Sequence, residues 1–151
     1  MKNKPKGHRL RTGRVSEPNR IYLITTVTHQ RQPIFHDINL GRLLVHTLRS
    51  KQMNASTLTY VIMPDHLHWL MKLNSTISLR KTVANIKSIR AHRINQQLNQ
   101  YKPLWQAGFH DHALRKEEDI RTIAIYVIAN PIRAGLVDHI GAYPLWDTAW
   151  L

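Results

Sequence analysis

Residues 60–73, YVIMPDHLHWLMKL, decide the fold, because they predict two strands joined by a short turn at Pro64-Asp65. From residue 67 onward, apolar side chains alternate with the others. Side chains alternate between the two faces of a strand, so Leu67, Trp69 and the residues two and four further on are predicted to face the core. His66 and His68 are then expected on the opposite face. Their Cα atoms would lie about 6.5–7 Å apart, close enough for both rings to bind one metal ion.

Further elements follow on both sides of this hairpin. The predicted strands are 22–29, 58–63, 67–73 and 105–114, and the predicted helices are 38–52, 79–98 and a last one from the acidic run 117–119 to about residue 134. This order is βαββαβ followed by a helix. It predicts an α+β fold: a ferredoxin-like (split βαβ) antiparallel sheet with two helices on one face. The added C-terminal helix could cross the other face.

The helix predicted over 79–98 has two unlike sides. Val83, Ile86 and Ile89 are expected to face the core. The other side carries the basic residues Arg80, Lys81, Lys87, Arg90 and Arg93, which we expect to contact the phosphates of a nucleic acid.

The composition is strongly basic, with 22 Lys and Arg against 9 Asp and Glu, a net charge of +13 and a pI near 10.7. Such an excess indicates a polyanionic partner, most often nucleic acid. The chain has no cysteine, which excludes disulfides and thiolate zinc sites. It also has no apolar run long enough to span a membrane and no secretory pattern at its start, so we expect a cytoplasmic protein.

Residues 1–19 are basic and rich in Pro and Gly, and they predict a flexible arm ahead of a single catalytic domain over 20–151. The arm could become ordered on a phosphate backbone or could simply aid solubility. Its candidate DNA contacts are Arg9, Arg11 and Arg14.

The last helix is predicted to be amphipathic. On a wheel of 100° per residue, one side is apolar and the other polar. The apolar side holds Ile120, Ala124, Val127, Ile128 and Ile132, and the polar side holds Thr122, Tyr126, Asn130 and Arg133. Pro131 indicates either a kink that aims Tyr126 and Asn130 at the sheet or an ordinary helix end.

Two imidazoles on one strand face, a tyrosine on the polar side of a helix and a basic chain together indicate metal-assisted cleavage of nucleic acid by a tyrosine nucleophile. A second His-x-His pair, His110-Asp111-His112, also occurs and is the alternative pair of ligands.

The motifs resemble a known family. His66-Leu67-His68 after Met63-Pro64-Asp65, with YVIANPIRAGLV over 126–137, resembles the single-tyrosine HUH transposases, in which U is a hydrophobic residue. The opening GRVSEPNRIYLITTVTHQRQPIF and the later WQAGFHDHALR resemble the branch of REP-associated tyrosine transposases. The resemblance covers about residues 13–150.

This resemblance implies a mechanism and a partner. Tyr126 would be the nucleophile, and His66, His68 and Asn130 would bind Mg²⁺ or Mn²⁺. The reaction would cleave and rejoin single-stranded DNA through a 5′-phosphotyrosine, at repetitive palindromic hairpins in the bacterial nucleoid. Arg133 is a further candidate DNA contact. No nucleotide cofactor and no membrane are expected, and the oligomeric state stays open with a monomer favoured.

Two other functions remain open on sequence grounds. One is a non-catalytic ferredoxin-like module that binds nucleic acid, although this mode needs surface aromatics where the chain has His66 and His68. The other is a His-metal nuclease that activates water, which would leave Tyr126 without a role. Asn130 also has an alternative, since an Asn at a helix end often bonds nearby backbone.

Overall fold

The computed structural model describes residues 19–50, 54–74, 77–115 and 119–150. The strands in these ranges are β1 (Ile21–Val27), β2 (Ala55–Met63), β3 (His66–Leu73), β4 (His110–Ala113) and β5 (Trp146–Thr148). The α-helices are α1 (Ile38–Leu48), α2 (Leu79–Leu98), α3 (Ile120–Ile128) and α4 (Asn130–Arg133). Short 3-10 turns lie at His29–Arg31, Ile34–His36 and Ile140–Ala142. Apart from Asn19, the predicted basic arm lies outside the described residues.

The five strands form one sheet in the order β4-β1-β3-β2-β5, and every neighbouring pair is antiparallel. β3 lies between β1 and β2, which α1 connects, and α2 then carries the chain from β3 to β4 at the far edge. This is the split βαβ arrangement. The predicted α+β fold with an antiparallel sheet is therefore confirmed, and β5 extends it by one strand.

The sheet has two buried faces. On the helix-pair face, side chains of β1 and β3 such as Ile24, Leu67 and Trp69 pack with apolar residues of α1 and α2. On the opposite face, which we call the α3 face, Val61 and Leu70 belong to two small apolar clusters that include residues of α3. The predicted extra helix thus covers the face that the helix pair leaves open.

Each of the three longer helices begins at a residue that caps it. The side chain of Asp37 accepts a hydrogen bond from Asn39 N at the start of α1. Ser78 does the same for Lys81 N in α2, and Asp119 for Arg121 N in α3. A cap of this kind stabilises a helix by about 1 kcal/mol, which explains why the helices start where they do.

The buried side of α2 differs from the prediction. Its buried positions include Val83, Ile86, Arg90 and Ile94, whereas Ile89 is 44% exposed. Spacings of three, four and four residues keep these positions in one helical stripe, and Ile89 lies about 100° away from Arg90. The prediction that Ile89 faces the core and Arg90 faces solvent was therefore wrong.

Several element ends also differ. The predicted first helix reached residue 52 but ends at Leu48, and β2 begins at Ala55 rather than at residue 58. The predicted strand over 105–114 is reduced to β4, because Gly108 takes a positive φ of 77° that breaks extended backbone. Trp105 keeps one isolated bridge to Thr28.

Candidate active site

His66 and His68 lie side by side on the central strand. In the register, His68 pairs with Thr25 of β1 and Val61 of β2, and His66 pairs with Val27 and Met63. Directly paired residues point to the same face, so both imidazoles lie on the α3 face. Their ring centroids are 4.8 Å apart and the planes are nearly perpendicular, at 86°.

Each imidazole is held through its Nδ1 atom. His66 Nδ1 lies 2.7 Å from Asp65 Oδ1, and His68 Nδ1 lies 3.0 Å from Thr25 Oγ1. Since a metal-binding histidine usually bonds a protein group through one ring nitrogen and the ion through the other, Nε2 of each ring is the atom suited to an ion.

His68 is kept neutral by its surroundings. Burial lowers its pKa, and the positive charges of His66 and Arg133 lower it further, to about 4. The imidazole is therefore uncharged at neutral pH and has a lone pair available for a cation.

The turn that delivers the two histidines is fastened to the loop after β1. Thr28 N and Thr28 Oγ1 both donate to Asp65 O, at 2.9 and 3.1 Å, and Phe35 N donates to Pro64 O at 3.0 Å. Arg31 Nη1 also lies 3.1 Å from Asp65 Oδ2. Burial alone would raise the pKa of Asp65, but hydrogen bonds from His66 and Arg31 hold it below its usual value. Asp65 is thus an anion at neutral pH.

The helix α3 carries the candidate nucleophile. Val127 is buried against Val61 and Met63, the β2 residues that pair with the two histidines. Its neighbour Tyr126 projects away from this contact and is 63% exposed. Packing of Val127 therefore places the exposed phenol on the side of the molecule that carries the histidines.

Arg133 interacts with Tyr126 and also affects the pKa of His68. Its Cζ atom lies 3.9 Å from the centroid of the Tyr126 ring, which is the geometry of a cation–π contact. The same guanidinium contributes to the lowered pKa of His68. A positive charge thus lies over the tyrosine ring and also favours the uncharged form of His68.

The predicted last helix is divided in two. α3 ends at Ile128, Ala129 separates the helices, and Pro131 lies in the first turn of α4, where its missing N–H costs nothing. The helical wheel assumed one continuous helix, whereas Tyr126 lies on α3 and Asn130 begins α4. Gly135 follows α4 in a left-handed conformation with a φ of 75°, which is typical of the residue after a helix C-terminus.

Asn130 is half-buried and bonds the end of α3. Its Nδ2 donates to Val127 O at 2.8 Å. This bond to nearby backbone matches the alternative reading of the residue, and it also orients the amide so that Oδ1 is the end that can bind a cation.

His66, His68 and Asn130 offer nitrogen and oxygen ligands for a divalent cation. Among the described residues, no group of three or more His, Cys, Asp or Glu side chains is arranged to hold a metal ion. The donors would therefore be Nε2 of His66, Nε2 of His68 and Oδ1 of Asn130. Such a set does not select strongly between divalent cations: the amide oxygen suits Mg²⁺ or Mn²⁺, the imidazoles do not favour Mg²⁺, and three protein ligands leave positions open for a substrate.

The second His-x-His pair lies elsewhere. His110 and His112 are exposed on the edge strand β4, where they pair with Thr25 and Leu23. β1 separates them from β3, so His110 and His68 lie about 10 Å apart across the sheet. The described part of the chain has no group of three or more His, Cys, Asp or Glu side chains that could hold a metal ion, so the two pairs do not form one set of ligands.

The predicted DNA contacts on α2 do not share one exposed surface. Arg90 is only 6% exposed and donates through Nη1 to Leu43 O at 2.7 Å, a position that does not favour the predicted phosphate contact. Lys87 Nζ donates to Gln106 O and Gly108 O, and Arg93 is exposed. All three belong to the helix on the opposite side of the sheet from the histidines. Arg9, Arg11 and Arg14 lie outside the described residues.

Sequence reasoning missed Thr25, Asp65 and Arg31 as parts of the site. Asp65 gave one signal, since it directly precedes His66 in a turn. Thr25 and Arg31 gave none, because their positions depend on strand pairing and on the backbone of the loop over 29–31.

No helix within the described ranges is both long enough and apolar enough to cross a membrane.

Comparisons with known proteins find relatives of this chain. A REP-associated tyrosine transposase of Escherichia coli K12 is 28% identical over 119 residues, covering 78% of this chain. A Haemophilus influenzae protein, provisionally given the same name, is 29% identical over 98 residues, covering 58% of this chain. The chain spans 64% and 56% of the lengths of these two relatives.

Among solved structures, a REP-associated tyrosine transposase bound to a REP hairpin superposes with a TM-score of 0.72 and 20% identity. The match covers 88% of this chain and 79% of the other, and it shows that the two share a fold. The model of the IS200-like transposase family matches residues 17–130, a range that includes both histidines, Tyr126 and Asn130. The family predicted from the motifs is thereby confirmed, and this chain belongs to the IS200-like transposases.

Proposed function

We propose that the chain cleaves and rejoins single-stranded DNA in a metal-dependent reaction, through a covalent 5′-phosphotyrosine on Tyr126. One observation carries the proposal. An exposed tyrosine on α3 lies under the guanidinium of Arg133, and the same guanidinium acts on His68, one of two imidazoles held through Nδ1 on the sheet face that α3 covers.

The chemistry follows from the positions of these side chains. Tyr126 Oη loses its proton and attacks the phosphorus of the scissile phosphodiester. The bond from phosphorus to the 3′ oxygen breaks, and that oxygen takes up a proton, so the 5′ phosphate stays on the tyrosine. A 3′-hydroxyl can later attack this linkage and restore a phosphodiester without external energy.

Arg133 has two roles in this scheme. Its guanidinium holds the ring of Tyr126, and its positive charge stands where negative charge develops on the phenol oxygen and the phosphate. His66, His68 and Asn130 would hold Mg²⁺ or Mn²⁺, which when bound polarises the phosphate and orients the scissile bond.

The proposed substrate is single-stranded DNA with a small palindromic hairpin. The named E. coli relative and the neighbour bound to a REP hairpin support this class. The net charge of +13 suits a polyanion, and an exposed Tyr126 can reach a phosphodiester that is already splayed out of a duplex. We place this activity on the DNA of a bacterial nucleoid.

Tyr126→Phe tests the nucleophile. We expect this variant to bind a labelled hairpin oligonucleotide with unchanged affinity, because the ring and its contact with Arg133 remain, and to form no covalent adduct on a denaturing gel. Tyr101→Phe is the matched control, since Tyr101 is also an exposed tyrosine but lies outside the two helices that carry Tyr126 and Arg133. It should form the adduct in normal yield.

The outcomes separate the three functions. An adduct of normal yield in Tyr126→Phe removes Tyr126 as the nucleophile. Cleavage by the unmodified protein without any adduct indicates a nuclease that activates water. Hairpin binding without cleavage under any metal condition indicates a binding module.

His66→Ala and His68→Ala test the ligands. Each should eliminate cleavage, as should EDTA, and added Mg²⁺ or Mn²⁺ should restore the chelated unmodified protein. His110→Ala and His112→Ala are the matched controls on the same sheet face and should cleave normally. Full cleavage by the chelated protein, or loss of metal binding only in the two controls, contradicts the assignment.

A further inference from the structure

We propose that Asp65 and Thr25 are positioning residues that fix the imidazoles of His66 and His68, one residue for each ring; this inference rests on the proposed metal site. Neither residue has a role in the reaction scheme above, yet each makes the Nδ1 contact of one histidine.

Asp65 determines which nitrogen of His66 faces outward. A carboxylate only accepts hydrogen bonds, so at 2.7 Å from Asp65 Oδ1 the Nδ1 atom of His66 must carry the hydrogen. The lone pair is then on Nε2.

The carboxylate of Asp65 is itself held in place. Arg31 Nη1 binds its second oxygen at 3.1 Å, and Thr28 binds its backbone carbonyl. Arg31 reaches it from a loop in which Gln30 and Arg31 both take positive φ, 54° and 52°. Left-handed backbone is unfavourable for residues other than Gly, and such strain is common where a side chain must be aimed at a site.

Thr25 does the equivalent task for His68 from the neighbouring strand. It is the direct partner of His68 in the β1–β3 register, so its hydroxyl meets Nδ1 at 3.0 Å across the strands. A hydroxyl can accept a hydrogen from Nδ1, which leaves Nε2 for the ion. Because threonine is restricted at χ1, the contact also limits rotation of the ring.

The two contacts together explain how neighbouring rings serve one ion. Unrestrained imidazoles 4.8 Å apart can rotate away from each other or present Nδ1 instead. The two independent Nδ1 contacts fix both rings so that each Nε2 atom is available to a metal ion. Loss of such an outer contact typically weakens metal binding 10–100-fold.

The first experiment measures Mn²⁺ binding by isothermal titration calorimetry without DNA. We expect Asp65→Ala and Thr25→Val to raise the Kd for Mn²⁺ about 10–100-fold. Thr25→Ser and Asp65→Asn should recover much of the affinity, because each restores an acceptor oxygen. Equal affinity in the Ala and Val variants and the unmodified protein overturns the proposal, as does failure of the Ser variant to recover affinity.

Matched controls exclude a general loss of structure. Asp147→Ala removes a carboxylate on β5 from another ion pair, in which Asp147 Oδ2 lies 3.2 Å from Arg49 Nη1. Thr26→Val changes the next residue of β1, whose side chain is buried and faces away from His68. Both controls should bind Mn²⁺ like the unmodified protein, and a matching loss of affinity in them contradicts a specific role for Asp65 and Thr25.

A second experiment is independent of metal. Long-range proton–nitrogen NMR spectra of the metal-free, histidine-labelled protein report which ring nitrogen carries the hydrogen. We expect His66 to carry it on Nδ1 in the unmodified protein and to lose this preference in Asp65→Ala. A hydrogen on Nε2 of His66 overturns the inference. If the unmodified protein binds no Mn²⁺, the proposed metal site fails, and these spectra still decide whether Asp65 fixes the ring.

Discussion

The amide of Asn130 has two ends with different tasks. Its nitrogen fastens the end of α3 through Val127 O, and its oxygen is the end that we assign to the cation. The bond helps fix the backbone between Tyr126 and the short helix that carries Arg133. A change at this residue should therefore affect both stability and metal binding, and the two effects can be separated by the choice of substituent.

We predict that Asn130→Asp and Asn130→Ala differ in metal binding and agree in stability. Both lose the N–H donor to Val127 O, so each should lower the free energy of unfolding in EDTA by about 0.5–1.5 kcal/mol. Asp keeps an oxygen ligand and should bind Mn²⁺ at least as well as Asn, whereas Ala should bind it more weakly. Melting curves in EDTA and Mn²⁺ titrations check this. Equal Mn²⁺ affinity in the Ala variant and the unmodified protein would leave Asn130 with a structural role alone.

At the residue scale, the sequence predicts the candidate metal ligands and nucleophile better than it predicts the residues that hold them in position. Alternation along β3 places both histidines on one face, and the motif around Tyr126 selects the tyrosine. The partner of His68 could not be found this way, because Thr25 is 43 residues distant in the chain and meets the ring only through the β1–β3 register. A one-residue change of register would turn that hydroxyl to the other face.

Among the elements, α2 shows how a buried stripe can include a charged residue. Arg90 continues the stripe of Val83, Ile86 and Ile94, and its guanidinium reaches Leu43 O of α1. Burial lowers the pKa of Arg90, and the charge of Arg93 lowers it further. Isoleucine is usually buried more often than arginine, which favoured Ile89 for the core. The spacing of the buried residues along α2 instead places Arg90 in the buried stripe and leaves Ile89 exposed.

We predict that Arg90 contributes to folding and not to DNA binding. Arg90→Ala should lower the free energy of unfolding by about 2–4 kcal/mol, because it leaves a cavity and an unpaired carbonyl. The slope of log affinity against log salt for a hairpin oligonucleotide should not change. Arg93→Ala is the control on the exposed side and should leave stability nearly unchanged.

One result of the salt titration would contradict the prediction that Arg90 does not bind DNA. If Arg90 bound a phosphate, its removal would reduce the slope by about 0.7–0.9. Such a reduction, measured where the variant is fully folded, would mean that α2 rearranges to expose Arg90 on DNA.

At the scale of the whole molecule, the segment after α4 runs back to the sheet and binds the edge of β2. Tyr143 Oη donates to Ile62 O, Ile62 N donates to Leu145 O, and β5 then pairs with β2. Leu145 packs so closely on α1 that a Cβ at Gly41 would overlap its Cδ1 atom. The sequence did not predict this layer, because β5 is only three residues long and its stability comes from contacts with distant parts of the chain.

We predict that Gly41 and Leu145 are energetically coupled. Gly41→Ala should lower the free energy of unfolding by about 1–2 kcal/mol, because overpacking outweighs the gain of about 1 kcal/mol in helix propensity. Leu145→Ala should lower it by about 2–4 kcal/mol. With Leu145→Ala already present, Gly41→Ala should become neutral or stabilising, because the overlapping atoms are gone. Additive losses in denaturant titrations would show that the two residues are not in contact.

The central claim is that Tyr126 becomes covalently joined to DNA, and mass spectrometry of the adduct tests it most directly. Trypsin should release residues 122–133, TIAIYVIANPIR, in which Tyr126 is the only tyrosine. After incubation with a hairpin oligonucleotide and Mn²⁺, followed by nuclease and trypsin digestion, we predict that this peptide carries a nucleotide 5′ phosphate on Tyr126. A nucleotide on any other residue, or cleaved DNA with this peptide unmodified, would contradict the account.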